Sequence, residues 1–124
     1  MNQEIYIYGA GSRGKELFEN IQTFYEDKVF IKGFIDREKK GFVCGLQVYE
    51  IAAVSKDDII VISIAKFESA LQVAIDLKKF GFQNVFWYNL KNIRKKREDF
   101  CFSLFLFLIT DVTIKSKMPI YKKI

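Results

Sequence analysis

Glu4-Ile-Tyr-Ile-Tyr-Gly9-Ala-Gly11-Ser-Arg-Gly14 opens the chain with a short apolar run that passes directly into Gly-x-Gly-x-x-Gly. The alternation and the β-branched or aromatic residues of Glu4 to Gly9 predict a strand, and Gly9 to Gly14 predicts a turn. Beyond the turn, Leu17, Phe18, Ile21, Phe24 and Tyr25 recur at three- and four-residue spacings. Lys15 to Tyr25 therefore reads as a helix with one apolar face. Strand, glycine turn and helix in that order are the context in which this motif predicts a nucleotide diphosphate site.

Each glycine has a separate expected task. Gly9 permits the tight turn, Gly11 lets the backbone approach a pyrophosphate, and Gly14 lets the helix pack closely on the strand. Backbone N–H groups around Ser12 and Arg13, at the positive end of the helix, then face the phosphates. Ser12 is also a candidate N-cap, and Arg13 is either a phosphate partner or a solvated helix-start arginine. The plainer alternative is that the three glycines only make a strand-to-helix turn.

Lys28 to Ile35 predicts a second strand, which ends on Asp36, 22 residues past Gly14. An acid at that point suits a ribose diol, although an aspartate in the charged Asp36-Arg-Glu-Lys-Lys stretch also suits a solvated turn. Arg37 is a second candidate phosphate contact. Arg37 to Gly45 reads as a charged loop bounded by glycine, and Leu46 to Tyr49 as a short third strand. Ile59 to Ile64 is an apolar run without alternation, as expected of a parallel strand covered on both faces.

Ser63 and Lys66 follow that run and are expected at the crevice beyond the strand ends. Both also have plain readings, as a strand terminus and an exposed helix start. Ala70, Val73, Ala74, Leu77 and Phe80 form a helical stripe closed by Gly81, and Asn84 to Trp87 predicts another strand. The alternation predicts an α/β fold, a doubly wound three-layer sandwich around a parallel sheet of about five strands.

The 124 residues suffice for one ordinary domain. Histidine is absent from the sequence, which removes the commonest general base and zinc ligand, so no metal is expected. Cys44 and Cys101 lack CxxC spacing and read as buried thiols in a reducing cytosol. The acidic start and short apolar run do not resemble a secretory signal, so a cytoplasmic location is expected.

Formal charge is +5, but residues 1–90 carry 11 Lys/Arg against 12 Asp/Glu, and the surplus lies in residues 91–124. That near-neutral segment argues against nucleic acid as the partner. The chain divides accordingly into a nucleotide-binding domain at 1–90 and a basic, apolar extension at 91–124. Phe100 to Ile109 is almost wholly apolar but half the length of a membrane-spanning helix, which needs about 20 residues. A core segment or contact with another copy or a catalytic partner domain is the preferred reading, and shallow membrane contact the lesser one.

Gly9-Ala-Gly-Ser-Arg-Gly14-Lys-Glu-Leu, Gly33-Phe-Ile-Asp36, Gly45-Leu-Gln-Val-Tyr49 and Ile59-Ile-Val-Ile-Ser-Ile64 occur in that order. Together they resemble the Rossmann-like N-terminal domain of bacterial sugar O-acyltransferases and related nucleotide-sugar dehydratases of polysaccharide biosynthesis, over residues 3–89. The resemblance implies that Gly9, Gly11, Gly14 and Asp36 contact a nucleotide sugar, such as a UDP-sugar, or NAD(H). Those acyltransferases continue into a β-helix with a catalytic histidine, and the dehydratases into a domain with a Tyr/Lys pair; this chain has neither. The expectation is a binding module without its own catalytic residues. The alternatives are an NAD-dependent nucleotide-sugar oxidoreductase, epimerase or dehydratase, and a scaffold that self-associates through residues 100–109.

Overall fold

A computed structural model describes residues 3–88 and 110–111. In chain order these form β1 (Gln3–Tyr8), α1 (Ser12–Phe24), β2 (Val29–Ile35), β3 (Phe42–Val43) and β4 (Leu46–Tyr49). A 3₁₀ turn at Ile51–Ala53 leads to β5 (Ile59–Ile62), α2 (Phe67–Lys79), β6 (Asn84–Trp87) and β7 (Thr110–Asp111). The strands lie in the order β3-β4-β2-β1-β5-β6-β7. β4, β2, β1, β5 and β6 are mutually parallel, whereas β3 and β7 add antiparallel edges. The fold is thus α/β with a mixed, mostly parallel sheet.

Side-chain alternation sends the strand residues to two separate cores. Ile5, Ile7, Val29, Ile31, Phe34 and Val61 meet Leu17 and Ile21 of α1 on one face. Tyr6, Ile35, Ile60, Ile62 and Val85 meet Ala70, Ala74 and Leu77 of α2 on the other. Leu17, Ile21, Ile60 and Ile62 are fully buried, and each such aliphatic side chain contributes roughly 1.5–3 kcal/mol of transfer free energy. The unbroken Ile59–Ile62 run follows from this double cover, since both faces of β5 are apolar.

The β1–β2 register shifts between Ile5 and Tyr6, where Ile31 and Gly33 are the respective partners and Lys32 is skipped. The irregularity reverses the phase of β2, so Phe34 joins Ile31 on the α1 side and Ile35 joins the α2 side. Lys32 instead reaches Asp58, the residue before β5, at 3.3 Å and Glu4 of β1 at 3.8 Å.

Three local expectations are corrected. Helix α1 begins at Ser12, with Gly11 as its N-cap and no side-chain capping bond, so Ser12 is a helical residue and not the cap. The charged loop Arg37–Gly45 contains β3, which pairs Phe42 with Gln47 and Val43 with Leu46 around a two-residue turn. Cys44 sits in that turn with φ 53°, exposed, because a hairpin tip has no core to enter. Cys101, Leu90 to Asp99 and the Phe100 to Ile109 run lie outside the described residues. Among the described residues no helix is long and apolar enough to cross a membrane.

Candidate functional site

The carboxyl ends of β1, β2 and β5 surround the glycine turn, because parallel pairing brings Tyr8, Ile35 and Ile62 to one level. The ladder continues into the turn itself: Gly9 N–H donates to the Ile35 carbonyl at 2.7 Å, and Ser63 N–H donates to the Tyr8 carbonyl at 3.0 Å. A cavity of about 470 Å³ opens there, lined by Tyr8, Gly9, Gly11, Ser12, Arg13, Gly14, Asp36, Arg37, Glu38, Ser63, Ile64, Ala65 and Val73. Its size falls within the ~300–1,000 Å³ of small-molecule sites.

The three glycines differ in what the fold asks of them. Gly9 has φ +110°, and a Cβ there would lie 2.8 Å from Ser63 Oγ. A Cβ on Gly14 would fall on the Gly9 carbonyl oxygen, so close packing of α1 onto the end of β1 demands a bare Cα. Gly11 differs: its backbone is extended at φ −88°, ψ −158°, and a Cβ would meet nothing within 4 Å. No steric contact requires the missing side chain at Gly11, which lines the cavity and is the N-cap of α1.

Helix α1 presents its amino end to this cavity. Its first N–H groups lack intrahelical acceptors, and neither a capping side chain nor an acid in the first turn offsets the positive end of the dipole. Arg13 lines the cavity, with its guanidinium 3.8 Å from Glu16 one turn along the helix. A partly exposed pair of that kind contributes little stability.

Asp36 is engaged by backbone donors. Oδ1 accepts the N–H groups of Glu38 at 2.8 Å and Lys39 at 2.9 Å, and Oδ2 accepts Ala10 N–H at 2.9 Å. Burial works to raise its pKa, but the three donors outweigh it and hold the carboxyl below the ordinary aspartate value. Ser63 is buried, and its hydroxyl lies within bonding distance of the Tyr8 carbonyl at 3.0 Å and the Gly9 carbonyl at 3.2 Å.

A second cavity, about 620 Å³, adjoins the first and shares Tyr8, Asp36, Arg37 and Val73 with it. Ile35, Ile51, Leu77 and Phe80 supply apolar wall, and Lys40, Glu50 and Asp76 supply charge. Tyr8 stands where the two meet. Burial pushes its phenol pKa up, Arg37 opposes this, and Asp36 and Asp76 reinforce it.

The structure therefore brings Gly9, Gly11, Ser12, Arg13, Gly14, Asp36, Arg37 and Ser63 to one cavity. Lys66 is not among its lining residues; it is the exposed N-cap of α2. Tyr8, Glu38, Ile64, Ala65 and Val73 also line it and are not among the residues the sequence points to. Tyr8 had a usable signal, as the strand residue immediately before Gly9. Val73 had none, since its place in the α2 stripe is that of a core residue. Compared with known proteins, the chain matches no family model, no curated protein and no solved structure.

Proposed function

We propose that this chain carries a Rossmann-like, doubly wound module that binds a nucleotide sugar or NAD(H). Its context would be bacterial surface-polysaccharide or sugar-nucleotide metabolism, with the catalytic domain supplied elsewhere. Gly11 carries the reading. Gly9 and Gly14 are accounted for by conformation and packing, whereas Gly11 has open space where its side chain would stand, at the amino end of α1. A backbone left bare toward a cavity lets an oxyanion approach the N–H groups of a helix start.

Topology supports the same reading. Counting only the parallel strands in chain order, their spatial order is 3-2-1-4-5, with α1 and α2 on opposite faces. This matches the first five strands of the dinucleotide-binding order 3-2-1-4-5-6, and the glycine turn stands at the strand-order switch between β1 and β5. The second cavity beside Asp36 offers room for the rest of a nucleotide beyond its phosphates.

Calorimetric titration with NAD(H) and with UDP-sugars tests the proposal. Binding of one class is expected, and its loss in Gly11→Val without a loss of folding. Absence of heat with either class at millimolar ligand would sink it.

A further inference from the structure

The peptide unit joining Gly9 to Ala10 is held from both sides. Its carbonyl oxygen, on Gly9, lies 3.2 Å from the hydroxyl of Ser63, the residue after β5, whose single proton it shares with the Tyr8 carbonyl at 3.0 Å. Its N–H, on Ala10, donates to Asp36 Oδ2 from the end of β2 at 2.9 Å. Asp36 is 26 residues from Ala10 in sequence and Ser63 is 54 from Gly9, so two long-range contacts converge on one plane. Ala10 itself is fully buried, and Asp36 is anchored by Glu38 and Lys39 through its other oxygen.

An ionised carboxylate offers about four acceptor positions, and the chain fills three of them here. Asp36 is thus committed chiefly to the protein. The orientation of the Gly9–Ala10 plane in turn sets the direction in which the chain enters Gly11 and α1. A peptide plane left free to reorient about the flanking Gly9 ψ and Ala10 φ would lose entropy each time an anion ordered it; one already fixed would not.

We propose that Asp36 and Ser63 are positioning residues that clamp the Gly9–Ala10 peptide and so hold the turn ready for an oxyanion. The inference rests on the nucleotide reading above but assigns Asp36 work that needs no ribose. Inorganic pyrophosphate separates the two roles, because it has phosphate oxygens and no hydroxyl group for a carboxylate to read. If Asp36 served a ribose alone, Asp36→Asn would leave pyrophosphate binding unchanged or tighten it by removing a nearby negative charge. As a clamp, it weakens it.

Asp36→Asn is the informative variant. Its carbonyl oxygen can still accept Glu38 and Lys39, but its NH₂ then faces the Ala10 N–H, which has no acceptor. Ser63→Ala removes the other jaw, and Ser63 is only 2 % exposed. Full-length protein and both variants are titrated with inorganic pyrophosphate and with ADP, while amide hydrogen exchange follows Ala10 and, as a folding control, Ile7.

Each variant is expected to bind both probes about tenfold more weakly, the scale of a lost preorganised contact, with Ala10 exchanging faster and Ile7 unchanged. Should Asp36→Asn fail to fold, Ser63→Ala carries the test alone. Pyrophosphate binding retained or tightened in Asp36→Asn overturns the inference, as does unchanged binding in Ser63→Ala. Wild-type binding of ADP without pyrophosphate also overturns it while leaving the nucleotide reading intact. Binding of neither by the wild type, with UDP-sugars also silent, removes that reading and the clamp with it.

Discussion

Replacing Gly14 by alanine should destabilise the fold markedly, whereas the same change at Gly11 should not. At Gly14 the new methyl falls on the Gly9 carbonyl oxygen, and lies 3.0 Å from the Gly9 carbonyl carbon and 3.2 Å from Ser63 Oγ. These are atoms of the clamped peptide and its holder, so they cannot swing aside as the end of a flexible side chain would. Overpacking of a filled site costs ~1–3 kcal/mol, and here the obstacle is backbone, which favours the upper part of that range. Gly14 lies within α1, so alanine returns up to ~1 kcal/mol of helix propensity. The net expectation is a loss of about 2 kcal/mol, or roughly 10 °C in Tm for a domain of this size.

At Gly11 the extended backbone admits any L-residue and the methyl meets nothing. Restricting the unfolded chain stabilises by ~0.4–1 kcal/mol, and alanine is a poorer N-cap than glycine by a similar amount. The two nearly cancel, leaving a change within about 0.5 kcal/mol. Urea unfolding followed through the fluorescence of Trp87, the chain's single tryptophan, measures both variants against the wild type. A Gly14→Ala protein as stable as the wild type would refute the packing argument. Equal losses at Gly14 and Gly11 would refute the distinction on which the ligand reading rests.

Two further perturbations address the turn chemistry. The β3–β4 hairpin turns through Cys44 and Gly45, at φ 53° and 79°; positive φ at both positions suits asparagine followed by glycine, so Cys44→Asn should stabilise by roughly 0.5–1 kcal/mol. An unchanged or lower urea midpoint would count against that assignment. Asp36 has a folded pKa below its unfolded one, so its contribution is complete above the ordinary aspartate value. That contribution disappears as pH falls through the lower folded value. The stability gap between wild type and Asp36→Asn should therefore shrink on acidification, and a gap that widens would contradict the donor geometry.

Much of the strand and helix order is readable locally because its causes are local. Apolar spacing marks α1 and α2, and the Ile59–Ile62 run marks a strand with no solvent face. β3 is not legible, because two residues show no periodicity and they sit between Gly41 and the Cys44-Gly45 turn. At the site, Gly9 and Gly14 are legible as turn residues. The partners of the polar groups are less so: Ser63 lines the cavity, but its hydroxyl is turned to the end of β1, and Lys66, the N-cap of α2, does not line it. Arg13 lies beside Glu16, a contact whose i,i+3 spacing is legible in the sequence.

The amino-acid sequence by itself determined the two helices, the longer strands and the glycine turn that joins β1 to α1. Those properties depend on backbone sterics and on side-chain periodicity over a few residues. Tertiary structure alone decided that β2 skips a residue at Lys32, that Phe34 and Ile35 therefore serve opposite cores, and that Asp36 and Ser63 grip the same peptide. A hydrogen bond between residues 26 or 54 positions apart depends on strand register, and register is a property of the assembled sheet.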